Sequence, residues 1–112
     1  MVPYGAWEPR LRRRQMQIVG VEKLHEFAGE HADVRPWLEN WIADTKLVTW
    51  KASQDIKNSY ASASFLANNL VIFNVKGNRY RLEVIVAYKT GTVVVQRIST
   101  HAEYSKPRKR RK

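Results

Sequence analysis

Residues 79–88 read RYRLEVIVAY, and this alternation constrains the fold more than any other stretch of the chain. Successive side chains of a strand point to opposite faces, so Tyr80, Leu82, Val84, Val86 and Tyr88 share one side. The other side begins with Arg79, Arg81 and Glu83 and continues with Ile85 and Ala87. A strand with one apolar face and one that starts out charged belongs to a sheet covered on a single side. Upstream, NLVIFNV (69–75) reaches this strand through KGN; downstream, KTGT leads into VVVQRIST (93–100). Connections this short join antiparallel neighbours, so residues 69–100 predict a three-stranded meander.

The first half of the chain supplies the cover. QMQIVG (15–20) is a short β-type run with Met16 and Ile18 on one side. From Val21 the period changes: Leu24, Phe27, Ala28 and His31 recur at helical spacing, with Glu22, Glu26 and Glu30 on the wet face. Asp33 is placed to cap a second helix, with Pro36 in the first turn and a stripe of Val34, Leu38, Trp41, Ile42 and Thr45. SQDIKNSY (53–60) predicts a third, short helix capped by Ser53, and ASASFLANN (61–69) reads as irregular. The expected class is α+β: an N-terminal strand and two to three helices packed on one face of a curved antiparallel sheet.

At 112 residues the chain suits one domain. The division expected is a basic arm over 1–14, a folded body over 15–105 and a basic tail over 106–112. The tail carries six Lys or Arg and no acid, and the arm four Arg against one Glu, whereas the body is nearly balanced. A net charge of +10 concentrated at the two ends suits a polyanion, nucleic acid first. No apolar run approaches the ~18 residues of a membrane span, so no membrane partner is expected. The absence of cysteine removes disulfides and thiolate metal sites and permits an intracellular location.

Few residues remain that can carry chemistry. His25 and His31 are six apart on a helix and diverge, so no metal site is expected; no phosphate-binding glycine loop or cofactor motif is present. What remains is Lys76, Arg79, Arg81, Arg97, His101 and Tyr104. Metal-free RNA cleavage needs a base to take the 2′-OH proton, an acid to protonate the leaving 5′-oxygen and cations on the phosphoryl oxygens. Histidine titrates near neutrality and can do either proton transfer; arginine grips phosphate through paired N–H groups. The inventory suffices for that reaction.

NVKGNRYRLEV and THAEY, together with DIKNSY and VEKLHEF, resemble the HigB-type toxins of bacterial toxin–antitoxin systems, within the RelE-like group. The likeness covers roughly residues 15–105. The family pattern falls on Asn74, Gly77, Asn78 and Arg81, then on Thr100, His101, Glu103 and Tyr104. The resemblance implies a cytoplasmic bacterial mRNA interferase that cuts translated mRNA on the ribosome and is neutralised by a cognate, HigA-like antitoxin. It implies catalytic roles for His101, Tyr104 and Arg81, and phosphate contacts from Lys57 and Lys76; Arg79 and Arg97, on the strands beside Arg81, are expected to contact RNA as well. Ser105 stands where the family pattern has Asp.

Two other readings stay open at this point. One is a non-catalytic RNA- or DNA-binding module that depends on the basic ends and is indifferent to His101. The other is a protein-interaction domain using Trp37 and Trp41, four apart on one helix, as a groove.

Overall fold

The computed structural model describes residues 16–77 and 79–102. The arm 1–14, the tail 106–112, Asn78, Glu103, Tyr104 and Ser105 lie outside the described residues, and with them the roles expected of Tyr104 and of the departure at Ser105.

Three helices pack on one side of a five-stranded sheet. The strands are β1 (Gln17–Val19), β2 (Ser64–Leu66), β3 (Leu70–Val75), β4 (Tyr80–Ala87) and β5 (Thr92–Thr100). The helices are α1 (Val21–Glu30), α2 (Arg35–Leu47) and α3 (Ser53–Ser59). Spatial strand order is β1-β5-β4-β3-β2. The meander β3-β4-β5 and the edge strand β2 pair antiparallel, while β1 pairs parallel with β5, making the sheet mixed.

The core lies where the alternation puts it. Val71, Phe73 and Val75 of β3, Leu82, Val84 and Val86 of β4, and Val93 and Val95 of β5 are buried against Leu24, Leu38, Trp41 and Ile56 of the helices. Trp41 sits edge-on to Phe73 with ring centroids 5.6 Å apart. Trp41 is therefore core, and Trp37 is half-buried with its ring 6.1 Å from that of Tyr60. The pair does not form an open groove.

Local details depart from the sequence reading in three places. ASASFLANN is not all loop: Ser64–Leu66 forms β2, paired with β3, because Phe65 can pack toward the core. Asp33 does not cap α2, whose N-cap is Val34 without a side-chain bond; Asp33 lies in a single 3₁₀ turn (Ala32–Val34) and its carboxylate is engaged by the sheet. At α3 the cap residue is Ala52 rather than Ser53, and Asp55 Oδ2 accepts from the N–H groups of Lys51 and Ala52 at 2.9 and 3.2 Å.

Two irregularities set the sheet's shape. Gly20 links β1 to α1 at φ 90°, with Val95 O only 3.2 Å from where a Cβ would stand, so the position requires glycine. In β5, Val95 pairs with Val84 and Arg97 with Glu83, leaving Gln96 as an extra residue. Such a bulge bends its strand and resets which face the following side chains occupy.

Candidate active site

Cross-strand register organises the face of the sheet away from the helices. Asn74 stands opposite Arg81, and Arg81 opposite Ser99, giving one row across β3, β4 and β5. The adjacent row holds Ser64, Ile72, Glu83 and Arg97. Without the bulge at Gln96, strict alternation from Val93 and Val95 would turn Arg97 and Ser99 into the core. With it they join Arg81 on the face away from the helices, where Ser99 is buried and Arg97 half-buried, and Ile98 turns inward.

The two motif segments meet at one end of this face. His101 follows the last residue of β5, and its backbone N–H donates to the carbonyl of Arg79 at 2.7 Å. The β3–β4 turn, closed by the Arg79 N–H donating to Lys76 O at 3.2 Å, is therefore tied to the segment carrying His101. Lys76 and Gly77 both take positive φ in this turn, 53° and 68°. The His101 side chain is exposed. On the β2 side, Asn74 Nδ2 donates to Ser62 O at 3.2 Å, and Lys57 Nζ donates to the next carbonyl, Ala63 O, at 3.1 Å. Lys57, Lys76, Arg79, Arg81 and His101 are thus brought to one end of the sheet, with Arg97 one row back.

Charges around these cations are partly balanced. Arg97 Nη1 lies 4.0 Å from Glu83 Oε2, a buried carboxylate oxygen. Arg97 also lines a groove of about 380 Å³ between α1 and β5, where Glu26 and Glu30 stand. Arg79 Nη1 donates to Asp33 Oδ2 at 3.3 Å, which turns it toward the helical layer.

Asp33 and Tyr80 form the contact that the sequence reading missed. The Tyr80 hydroxyl donates to Asp33 Oδ1 at 2.7 Å, joining residues 47 apart in sequence. This hydrogen bond, with Arg79 and Lys76 nearby, holds the Asp33 carboxyl below the usual carboxylate range. The same bond, with burial and the Asp33 charge, pushes the Tyr80 phenol up. His31 closes α1 beside it, its ring stacked on Phe27 at 4.2 Å and edge-on to Tyr80 at 5.5 Å. The cluster pins the helix layer to the start of β4, next to the carbonyl that holds His101. Only the long-range pairing reveals it; a tyrosine on a core face and an aspartate before a helix carry no local signal of each other.

No curated protein matches the chain significantly. A sequence model of HigB toxins, described as the RelE-like toxic component of a toxin–antitoxin system, matches residues 35–107. That match spans more than half the chain, including α2, α3, the meander and both motif segments, and the three-helix, five-strand α+β fold agrees with it. The chain belongs to the HigB toxin family, the RelE-like toxic component of a toxin–antitoxin system.

Proposed function

We propose that this toxin is a ribosome-dependent endoribonuclease that cleaves translated mRNA at the end of the sheet carrying Arg81 and His101. The observation that supports the reading best is the bond from the His101 N–H to Arg79 O, which brings the two motif segments together. In the proposed reaction the 2′-OH loses its proton to a base and attacks the adjacent phosphorus. The bond to the 5′-oxygen breaks, and that oxygen takes a proton from an acid. His101 serves one of these transfers, and Tyr104 the other or as a stacking partner for a base. Arg81 binds the phosphoryl oxygens as their charge grows, where a guanidinium offers two parallel donors. Lys57 and Lys76 add electrostatic attraction along the approaching strand, and Arg79 and Arg97 do so to the extent that phosphate competes with Asp33 and Glu83.

Primer extension on a defined mRNA in a reconstituted translation reaction tests the reading. Cuts that require ribosomes and are lost in Arg81→Ala are expected. A folded wild type that binds RNA without cutting it would replace this reading with that of a binding module.

A further inference from the structure

A third row crosses the same face, farther from His101. Leu66 of β2 pairs with Leu70 of β3, Leu70 with Ile85 of β4, Ile85 with Val94 of β5, and Val94 with Val19 of β1. One aliphatic residue from every strand thus stands in a single line. None of the five belongs to the core cluster or packs against it. Val19 and Leu66 at the two ends are 52% and 50% exposed, and the three between are partly exposed. At about 4.8 Å per strand the line is roughly 19 Å long, the length of about 13 residues of helix.

From this row we infer that the antitoxin docks across the sheet, laying an apolar stripe flanked by carboxylates on Leu66, Leu70, Ile85, Val94 and Val19. The inference rests on membership of a toxin–antitoxin family, not on RNA cleavage. Charge selects the occupant. Among the described residues, the two rows toward His101 carry Arg97, with Glu83 4.0 Å from it, and Arg81. At the β2 end the row runs into a groove lined by Phe65, Leu66, Leu70, Tyr88 and Lys51, with Lys89 on the adjoining one. Neither Lys51 nor Lys89 forms an ion pair with another described residue. Cations on both flanks of an apolar line fit an acidic amphipathic partner. A second copy of the chain, itself at +10, would set these cations against their like. RNA gains little from the row, since bases stack on aromatic rings and all five residues are aliphatic. The tail 106–112, six of whose seven residues are Lys or Arg, has no side chains to match it.

Docking here places the antitoxin two rows from Arg81, so an arm of modest length reaches the site. All five residues bear methyl groups, which makes the test direct. Methyl NMR of the full-length toxin is recorded while the antitoxin that rescues growth of toxin-expressing cells is added. The methyl resonances of the five residues are expected to shift or broaden, while those of Val84 and Val86 on the core face hold. In parallel, Val19→Asp combined with Leu66→Asp, at the two most exposed positions, is expected to weaken antitoxin binding at least tenfold by calorimetry and to leave ribosome-dependent cleavage at the wild-type rate. If the double variant fails to fold, the wild-type titration decides alone. Unmoved methyls at all five residues overturn the inference, as does wild-type affinity in a folded double variant. Methyl shifts that depend on toxin concentration before antitoxin is added assign the row to a second copy and also overturn it.

Discussion

The His101 N–H and the Arg79 carbonyl, 2.7 Å apart, join the end of β5 to the β3–β4 turn. Neither side chain takes part, so the placement of His101 relative to Arg81 is a property of the backbone. Substitutions at His101 are therefore expected to change chemistry and leave the fold alone.

Arg81→Ala and His101→Ala separate binding from proton transfer. A positioned acid or base contributes typically ~10²–10⁴-fold to a rate, and His101→Ala is expected to lose cleavage in that range. Its stability is expected within about 0.5 kcal/mol of wild type, because the side chain is exposed. Arg81→Ala is expected to lose cleavage and to weaken RNA binding as well, since it removes the phosphate ligand proposed above. Single-turnover cleavage with urea unfolding of each variant checks both.

The Asp33–Tyr80 bond predicts stability limbs at both ends of the pH scale. Asp33 has its folded pKa lowered from 3.8, so its contribution is present above that value and is lost as pH falls through the lower folded value. Tyr80 has its folded pKa raised from 10.0, so its contribution is present below 10.0 and is lost as pH rises through the higher folded value. Tyr80→Phe is expected to reduce both limbs, leaving the part of the alkaline one that comes from Tyr60 and Tyr88, whose phenols burial also pushes up, while His101→Ala leaves both. Thermal melts at a series of pH values measure this.

Trp41→Ala is expected to destabilise the fold by about 3–5 kcal/mol, the usual cost of removing a buried tryptophan. Its ring is fully buried against Phe73. Trp37→Ala is expected to cost clearly less, because that ring is partly exposed beside Tyr60. Urea midpoints at constant slope compare the two.

Gly20→Ala is expected to destabilise by about 1–3 kcal/mol, the usual cost of a backbone held in a sparsely populated region. The added Cβ would meet Val95 O at 3.2 Å and Val95 Cβ at 3.3 Å while φ stays at 90°. Gly20 meets Val95, six residues before His101 along the chain, and none of the candidate site's side chains, so cleavage by the folded fraction is expected to be unchanged; denaturant titration with active-fraction correction tests it.

Much of this architecture was legible in the residue order. The alternation of Tyr80, Leu82, Val84 and Val86 marked the core face of β4, and the helical spacing of Leu24 and Ala28, like that of Leu38 and Trp41, marked what covers it. The parallel pairing of β1 was not legible, because three residues of β type carry no information about direction. Nor was the bulge at Gln96, which decides that Arg97 faces Glu83 rather than the core. At the candidate site the residue types were readable from the motifs, but their partners were not. Asp33 looked like a cap until Tyr80 was placed beside it, and Arg79 looked like a free phosphate ligand until Asp33 was. Contacts between residues more than 40 apart follow from packing, and no local pattern encodes them.

The most direct test compares wild type with His101→Ala on one defined mRNA, with and without ribosomes, mapping 5′ ends by primer extension. Discrete cuts by the wild type are expected only when ribosomes translate the message, and none above background in the folded variant. Equal cutting by His101→Ala, or no cutting by a folded wild type on translating ribosomes, would contradict the proposed function.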